Sequence, residues 1–302
     1  MRILLIGQAA FAEQVLDGLV AAGDEIVAVV CPPDGDGKPD PVKVAAERRG
    51  VAVHQWKSLR VPEARHAFED ARADLAVLAY VTQIVPEPLL AIPQKTSICF
   101  HPSLLPRYRG GSAINWQLIR GETRTGVTVF WPDAGVDTGP ILLQREAVAG
   151  PDETAGTLYY KTLFPLGVQT VLDAVALIRD GRAPRVPQDE SAATHDPLCR
   201  DEHAGIDWTK PMATVHDLIR GCDPQPGAHT AFAGTRLRLF DSRRTAAAPA
   251  APGTVLAIEP DGITVATADG AVRCARARAD GAKAPAHEVA AAIGLARGAR
   301  LG

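Results

Sequence analysis

Apolar strands alternate with helical stretches through the first hundred residues, and this alternation constrains the fold more than any other feature. The apolar runs recur about every 25 residues, at 2–6, 25–30, 51–53, 74–78 and 97–100, with helical patterns over 9–22 and 41–49. Such alternation is typical of βαβ units. It predicts an α/β, Rossmann-like, doubly wound and mainly parallel sheet. Ligands of these sheets bind beyond the carboxyl ends of the strands, here the loops after 30, 78 and 100.

The second half of the chain has a different pattern. Runs at 127–131 and 141–146 indicate two more strands, and 154–178 has the spacing of one long amphipathic helix. After Gly181 the composition becomes rich in proline and polar residues. A helix at 212–221 and short strands at 236–240, 253–258 and 262–267 then indicate a small, OB-like β-barrel. We therefore predict a catalytic domain over 1–203 and a β-barrel domain over 204–302.

Composition excludes several classes of protein. Of the 302 residues, 46% are hydrophobic and 22% charged, which is typical of a globular protein rather than a disordered one. The net charge of −3 argues against a general nucleic-acid binder. The five cysteines form no C-x-x-C pair, so neither a disulfide framework nor a metal site is predicted. The N-terminus does not resemble a signal sequence, and no run approaches the ~18 uncharged apolar residues of a membrane span. We expect a cytoplasmic protein without a membrane partner.

Two loops near the N-terminus bear on cofactor binding. Gly7 is followed by Gln8-Ala9-Ala10 rather than by a G-x-G-x-x-G fingerprint, which disfavours a nicotinamide cofactor. The loop 31–41 is polar and rich in Gly and Pro. Its composition fits a flexible flap as well as a structural connector.

The residues that point to chemistry lie in two stretches. The first, CFHPSLLPRYRGGSAINW, places His101 directly after a strand; a lone histidine there is more often structural than catalytic. The second, DAGVDTG, places Asp133 and Asp137 in a tight turn between two strands. Gly135 lies two residues after Asp133, as in an Asx turn that caps the loop. Asp137 is left as the candidate for catalysis.

HPSLLPRYRGGSAINW followed by DAGVDTGPILLQ resembles the formyltransferase family that uses 10-formyltetrahydrofolate. The chain most resembles the N-terminal hydrolase domain of 10-formyltetrahydrofolate dehydrogenase, and it is also similar to methionyl-tRNA formyltransferase. The likeness continues through TQIVPEPLL, TLYYKTLFPLG and IRGCDPQPGA, so that it covers nearly the whole chain.

The resemblance implies a role for each matched residue. His101 and Asp137 are expected to be catalytic: Asp137 takes a proton from the attacking water or amine, and His101 donates to the oxyanion or to the departing N10. The pterin is expected along the main chain of Gln83, Ile84 and Val85, with the turn 133–139 on its other side. The residues expected to bind the folate are Gln83, Ile84, Val85, Leu104, Arg109, Asp133 and Gly135.

The sequence departs from the family at Cys99. Most members carry Asn two residues before the histidine, and its amide holds the formyl oxygen; the dehydrogenase-associated hydrolase carries an aliphatic residue. A thiol is a poor hydrogen-bond donor, so Cys99 would stabilise an oxyanion weakly. Two interpretations remain open. Cys99 is a small apolar substitute, or it is a nucleophile that accepts the formyl group with help from the imidazole.

Three functions are consistent with these residues. We predict hydrolysis, with water as the formyl acceptor, because of the likeness to the hydrolase domain and the missing Asn. Transfer to an amine, either a small amine such as an amino sugar or methionyl-tRNA, is the alternative. The acidic loop 34–40 and the net charge disfavour tRNA. The third function, folate binding without catalysis, is disfavoured because His101 and Asp137 are both present.

Overall fold

The computed structural model describes residues 1–35 and 37–302. Asp36, in the loop 31–41, lies outside the described residues. The described chain divides into two compact units. The first comprises 1–111, 126–147 and 162–195, and the second comprises 112–125, 148–161 and 196–302. Two short segments that precede residue 203 are therefore grouped with the C-terminal part of the chain.

A seven-stranded sheet forms the first unit, in the order β3-β2-β1-β4-β5-β6-β7. Its first five strands run parallel to their neighbours, and β6 is antiparallel to β5. The strands are β1 Arg2–Gly7, β2 Glu25–Cys31, β3 Ala52–Gln55, β4 Leu75–Ala79, β5 Ser97–His101, β6 Arg124–Phe130 and β7 Ile141–Val148. The predicted doubly wound, mainly parallel α/β sheet is confirmed.

Helices accompany this sheet. In the first unit they are α1 Ala9–Ala21, α2 Pro41–Glu47, α3 Pro62–Ala71, α4 Glu87–Leu90 and α7 Phe164–Arg179, whereas α5 Ala113–Ile119 and α6 Ala155–Leu158 belong to the second unit. The prediction of one α-helix over 154–178 is wrong in detail, because a π-helical turn at Tyr159–Leu163 separates α6 from α7. Pro165 in the first turn of α7 has no N–H to donate and its ring crowds the preceding turn, so the regular hydrogen-bond pattern cannot run through it.

The helical stretch Ala155–Arg179 is, among the described residues, long and apolar enough to cross a membrane by length and composition. Half of its most apolar window is buried inside the protein. The core helix of a soluble protein passes the same test, and α7 packs against α1 within the first unit.

The second unit contains an antiparallel sheet in the order β10-β11-β12-β9-β8, with β13 paired to β12. The elements are α8 Met212–Gly221, β8 Ala228–Phe232, β9 Thr235–Thr245, β10 Val255–Glu259, β11 Gly262–Ala266, β12 Ala271–Arg278, β13 Ala284–Pro285 and α9 Ala286–Ala292. Helices α8 and α9 cover its buried face. The strand pairings of the described chain leave this sheet open between β8 and β10, so the predicted OB-like barrel is not closed.

The described part of the loop 31–41 is tied to its surroundings by polar contacts. Asp34 accepts from Lys43 Nζ at 2.6 Å and from Gln55 Nε2 at 2.9 Å. The Asp40 carboxylate caps α2 and also accepts from the main-chain N–H of Ala9 at 2.9 and 3.0 Å. A side chain of the protein itself thus lies at the N-terminus of α1, where dinucleotide folds bind a phosphate. These contacts are typical of a structural connector.

Candidate functional site

A cavity of about 390 Å³ lies within the first unit, next to the carboxyl ends of β4 and β5. This is the edge of the sheet at which the fold class predicts a ligand. The lining includes eight of the residues singled out from the sequence: Gln83, Ile84, Val85, Cys99, His101, Asp133, Gly135 and Asp137. Leu104 and Arg109 are not among the lining residues in the described chain.

His101 is the last residue of β5, and its side chain is 6% exposed. Its Nε2 lies 2.7 Å from the main-chain carbonyl oxygen of Tyr108. A carbonyl oxygen only accepts hydrogen bonds, so Nε2 carries a proton and donates it. The other ring nitrogen, Nδ1, lies 3.5 Å from Asp137 Oδ2. Nδ1 is therefore the nitrogen through which His101 can exchange a proton with a bound molecule.

Asp137 is held in an unusual main-chain conformation. Its φ of +57° lies in the left-handed region, which few residues other than glycine adopt. The main-chain N–H of Gly110 donates to Oδ2 at 2.8 Å, and the side chain is 17% exposed. The turn and Gly110 together aim one carboxylate oxygen at His101 across the cavity wall. The fold thus joins two side chains that are 36 residues apart in the sequence.

Asp133 forms the predicted Asx turn. Its Oδ1 accepts from the main-chain N–H of Gly135 at 3.0 Å and from the Thr138 hydroxyl at 2.5 Å. The turn is closely packed, because a Cβ added at Gly139 would lie 1.7 Å from the carbonyl oxygen of Trp131. The local interpretation of Asp133 as a turn cap is confirmed. Asp137 remains the carboxylate of this turn that faces the imidazole.

Cys99 lies two residues before His101 on β5, so both side chains are on the same face of the strand. Burial raises the pKa of the Cys99 thiol well above its ordinary value, and the negative charge of Asp137 adds to the effect. Its thiol makes a weak contact to the carbonyl oxygen of Phe100, at 3.6 Å. A protonated, desolvated thiol is a poor nucleophile. These properties favour the interpretation of Cys99 as a small apolar substitute.

The segment 83–85 also lines the cavity. The Gln83 side chain donates to the carbonyl oxygen of Trp56 at 2.9 Å, so it is fixed within the protein. Ile84 is 72% exposed, and Val85 packs against the core of the unit. A contact between the pterin and the main chain of this segment stays a prediction from the resemblance.

Arg109 has a different position from the one expected. The sequence places it with the folate-binding residues, but its side chain is buried and its guanidinium binds Glu190 and Gln188. The paired carboxylate raises the pKa of Arg109, so the charge is retained inside the protein. Sequence reasoning missed Gln188 and Glu190, because they lie about 80 residues away in a segment without periodicity.

A metal is not suggested by the side chains of the described residues, which include no group of three His, Cys, Asp or Glu arranged to hold an ion.

Comparison with known proteins identifies the class. Residues 1–174 match the family described as "Formyl transferase", and residues 199–292 match "Formyl transferase, C-terminal domain". The chain belongs to the formyl transferase family, and the resemblance drawn from the motifs is confirmed.

Among its relatives, mitochondrial 10-formyltetrahydrofolate dehydrogenase of Mus musculus is 42% identical over 247 residues, which are 80% of this chain and 27% of that protein. The chain thus spans little more than a quarter of the length of these dehydrogenases. Methionyl-tRNA formyltransferase of Geobacter metallireducens is 37% identical over 309 residues, covering 100% of this chain and 99% of that one. HypX from Aquifex aeolicus, solved in complex with tetrahydrofolic acid, shares the fold with a TM-score of 0.72 at 21% identity, over 96% of this chain and 47% of that one.

Proposed function

We propose that this protein removes the formyl group of 10-formyltetrahydrofolate, with water as acceptor, and releases tetrahydrofolate and formate. The observation that carries the proposal is the pairing of His101 Nδ1 with Asp137 Oδ2, 3.5 Å apart on the wall of the cavity. The similarity to 10-formyltetrahydrofolate dehydrogenase and methionyl-tRNA formyltransferase supports a formyl-carrying substrate.

In the proposed reaction, Asp137 acts as the general base. Its carboxylate takes a proton from a water molecule as the water oxygen bonds to the formyl carbon, which becomes tetrahedral. The bond from this carbon to N10 then breaks, and N10 receives a proton as it leaves. Asp137 passes the proton taken from water to His101 Nδ1, and Nδ1 then donates it to N10, while Nε2–H stays on the Tyr108 carbonyl. One water is consumed, and one formate, one secondary amine and one proton are released.

The identity of residue 99 favours water over an amine as the acceptor. The oxyanion of the tetrahedral intermediate is stabilised best by preorganised N–H or O–H donors. Cys99 offers only a thiol, which already faces the Phe100 carbonyl. The cavity therefore lacks, at this position, the carboxamide that most transferases of the family are expected to use.

Transfer to an amine is the second candidate. One observation favours it: the similarity to the Geobacter metallireducens methionyl-tRNA formyltransferase extends over both family domains and over the full length of each chain. An amine nitrogen would replace the water oxygen in the same steps. Asp137 would then take the proton of the ammonium that forms.

An acceptor assay separates the two. The purified protein is mixed with 10-formyltetrahydrofolate, and both tetrahydrofolate and formate are measured, first alone and then with amino sugars or methionyl-tRNA. Hydrolysis predicts equal amounts of the two products without any amine. Tetrahydrofolate that forms only with an amine, and without formate, would establish transfer. No turnover under any condition would contradict both.

A further inference from the structure

The polar segment 188–194, which we call the strap, contacts the turn that carries Asp137 and the loop whose main chain holds His101. It lies in the first unit, together with the turn 133–139 and the loop 106–110. It has little regular structure apart from one 3₁₀ turn at Glu190–Ala192. Its side chains nevertheless make close hydrogen bonds to the main chain of each loop. Such contacts hold loops that have no helix or strand of their own to fix them.

Gln188 is the contact to the turn that carries Asp137. Its Nε2 donates to the main-chain carbonyl oxygens of Asp137 at 2.8 Å and Gly139 at 2.7 Å. Its Oε1 accepts from Arg109 at 2.8 Å. Both amide protons and the amide oxygen are therefore used, and a flipped amide would place the oxygen against two carbonyls. The orientation of this side chain is fixed by its partners.

Arg109 connects the strap to the loop that follows β5. Its guanidinium makes a two-pronged ion pair with Glu190, at 2.7 and 2.9 Å, while it holds Gln188. Arg109 is 5% exposed, so its charge is buried and Glu190 is the group that compensates it. Only a planar guanidinium can hold a carboxylate and an amide oxygen at once in this geometry.

Thr194 fixes the same loop at its main chain. Its hydroxyl accepts from the N–H of Tyr108 at 2.7 Å, and its carbonyl oxygen accepts from the N–H of Arg109 at 3.0 Å. Tyr108 is the residue whose carbonyl oxygen holds His101 Nε2. Tyr108 has a φ of +62°, in the same left-handed region as Asp137. The strap therefore touches the main-chain anchor of each member of the pair.

We propose that Gln188, oriented by Arg109, is a positioning residue that sets the distance between His101 Nδ1 and Asp137 Oδ2. This inference rests on the proposed function, in which the two side chains transfer protons. The left-handed conformation of Asp137 is uncommon, and its carbonyl is directed by the Gln188 amide. Without that donor the turn can relax, and the carboxylate then moves away from the imidazole.

The test uses Gln188→Glu, which retains the shape of the side chain and its bond to Arg109 but cannot donate to two carbonyls. A misplacement of about 1 Å can cost roughly 100-fold in rate, so we expect kcat of Gln188→Glu to fall by about 30- to 100-fold. KM for the folate should change by less than about threefold, since the cavity wall at 83–85 is untouched. Arg109→Lys should lower kcat by about tenfold, because one ammonium cannot replace the guanidinium fork.

Arg145→Lys is the matched control, because Arg145 pairs with Asp173 at 2.5 Å in the same unit and neither residue belongs to the strap. It should leave kcat unchanged. A second readout is the ¹⁵N NMR signal of His101, which reports the protonation of Nδ1 and should move in Gln188→Glu but not in Arg145→Lys.

The outcomes separate this inference from the proposed function. If the wild-type protein releases no formyl group but the His101 signal moves in Gln188→Glu, the proposed function is wrong and the positioning role stands. If Gln188→Glu keeps kcat within twofold of the wild type, or leaves the His101 signal unmoved, the positioning role is wrong. A fall in kcat equal to that of Arg145→Lys would also overturn it, because the loss would then be one of general stability.

Discussion

Replacement of Cys99 distinguishes an apolar substitute from a formyl-carrying nucleophile. An ordinary thiol with a pKa of about 8.5 is roughly 3% thiolate at pH 7. Burial and the charge of Asp137 raise the pKa of Cys99 well above that range, so the reactive fraction is smaller still. Cys99→Ala should therefore cost little activity, within about threefold, and about 1 kcal/mol of stability from lost packing.

Cys99→Asn adds the missing donor on the face of β5 that carries His101. A well-placed oxyanion donor is worth roughly 3 kcal/mol. Burial of the Asn amide without another hydrogen-bond partner would cost about 1–3 kcal/mol. The net gain is then about 0–2 kcal/mol, which corresponds to at most about 30-fold in rate. We expect a shift in acceptor preference from water toward amines rather than a large increase in total turnover.

The assay measures formate and tetrahydrofolate for the wild type, Cys99→Ala and Cys99→Asn, with and without an amine. Mass spectrometry of the protein after mixing with the folate donor checks for a formyl thioester. A loss in Cys99→Ala as deep as that of an Asp137 variant, or a thioester on Cys99, would refute the reasoning. An unchanged acceptor preference in Cys99→Asn would refute the assigned role of the missing amide.

Three further outcomes are expected. Gly139→Ala should lower the free energy of unfolding by about 3 kcal/mol or more in urea, because the added Cβ would meet the Trp131 carbonyl. Gly35→Ala is the control, since a Cβ there has no atom within 4 Å, and it should leave that free energy nearly unchanged. Equal losses in the two variants would contradict the prediction. Burial lowers the pKa of His216, so the unfolded chain binds more protons than the folded one, and stability should fall as the pH drops below about 6.5. His216→Gln should weaken this pH dependence. An unchanged slope of unfolding free energy against pH would contradict the prediction. Initiator tRNA should not bind measurably at moderate salt, whereas a salt-sensitive complex in a filter-binding assay would favour transfer to tRNA.

The α/β half was predictable because buried parallel strands are unbroken apolar runs. Leu75–Ala79, for example, is buried at all five positions. Strand β12, in contrast, was missed, because its buried residues are small or alternate with three arginines and so form no apolar run. Helix α3 was missed for a related reason: only Ala64, Phe68 and Ala71 of its ten residues are buried.

The candidate site was predictable where a motif marks it and not where main-chain contacts build it. His101 and Asp137 stand out by their places after a strand and in a glycine-rich turn. Gln188 acts on carbonyl groups about 50 residues away, and such contacts leave no pattern in the sequence. Arg109 was placed with the folate-binding residues on the strength of the family resemblance. Its burial depends on Glu190, which only the fold brings to it.

The most direct test of the account is formate release from 10-formyltetrahydrofolate, without any amine, by the wild type, Asp137→Asn and Asp133→Asn. The control lies in the same turn, and its Asn can keep the Asx turn to Gly135. Removal of a general base typically costs about 10²- to 10⁴-fold. We predict that the wild type releases formate, that Asp137→Asn loses about 10²-fold or more, and that Asp133→Asn stays within about threefold. Formate release by Asp137→Asn at nearly the wild-type rate would contradict the account.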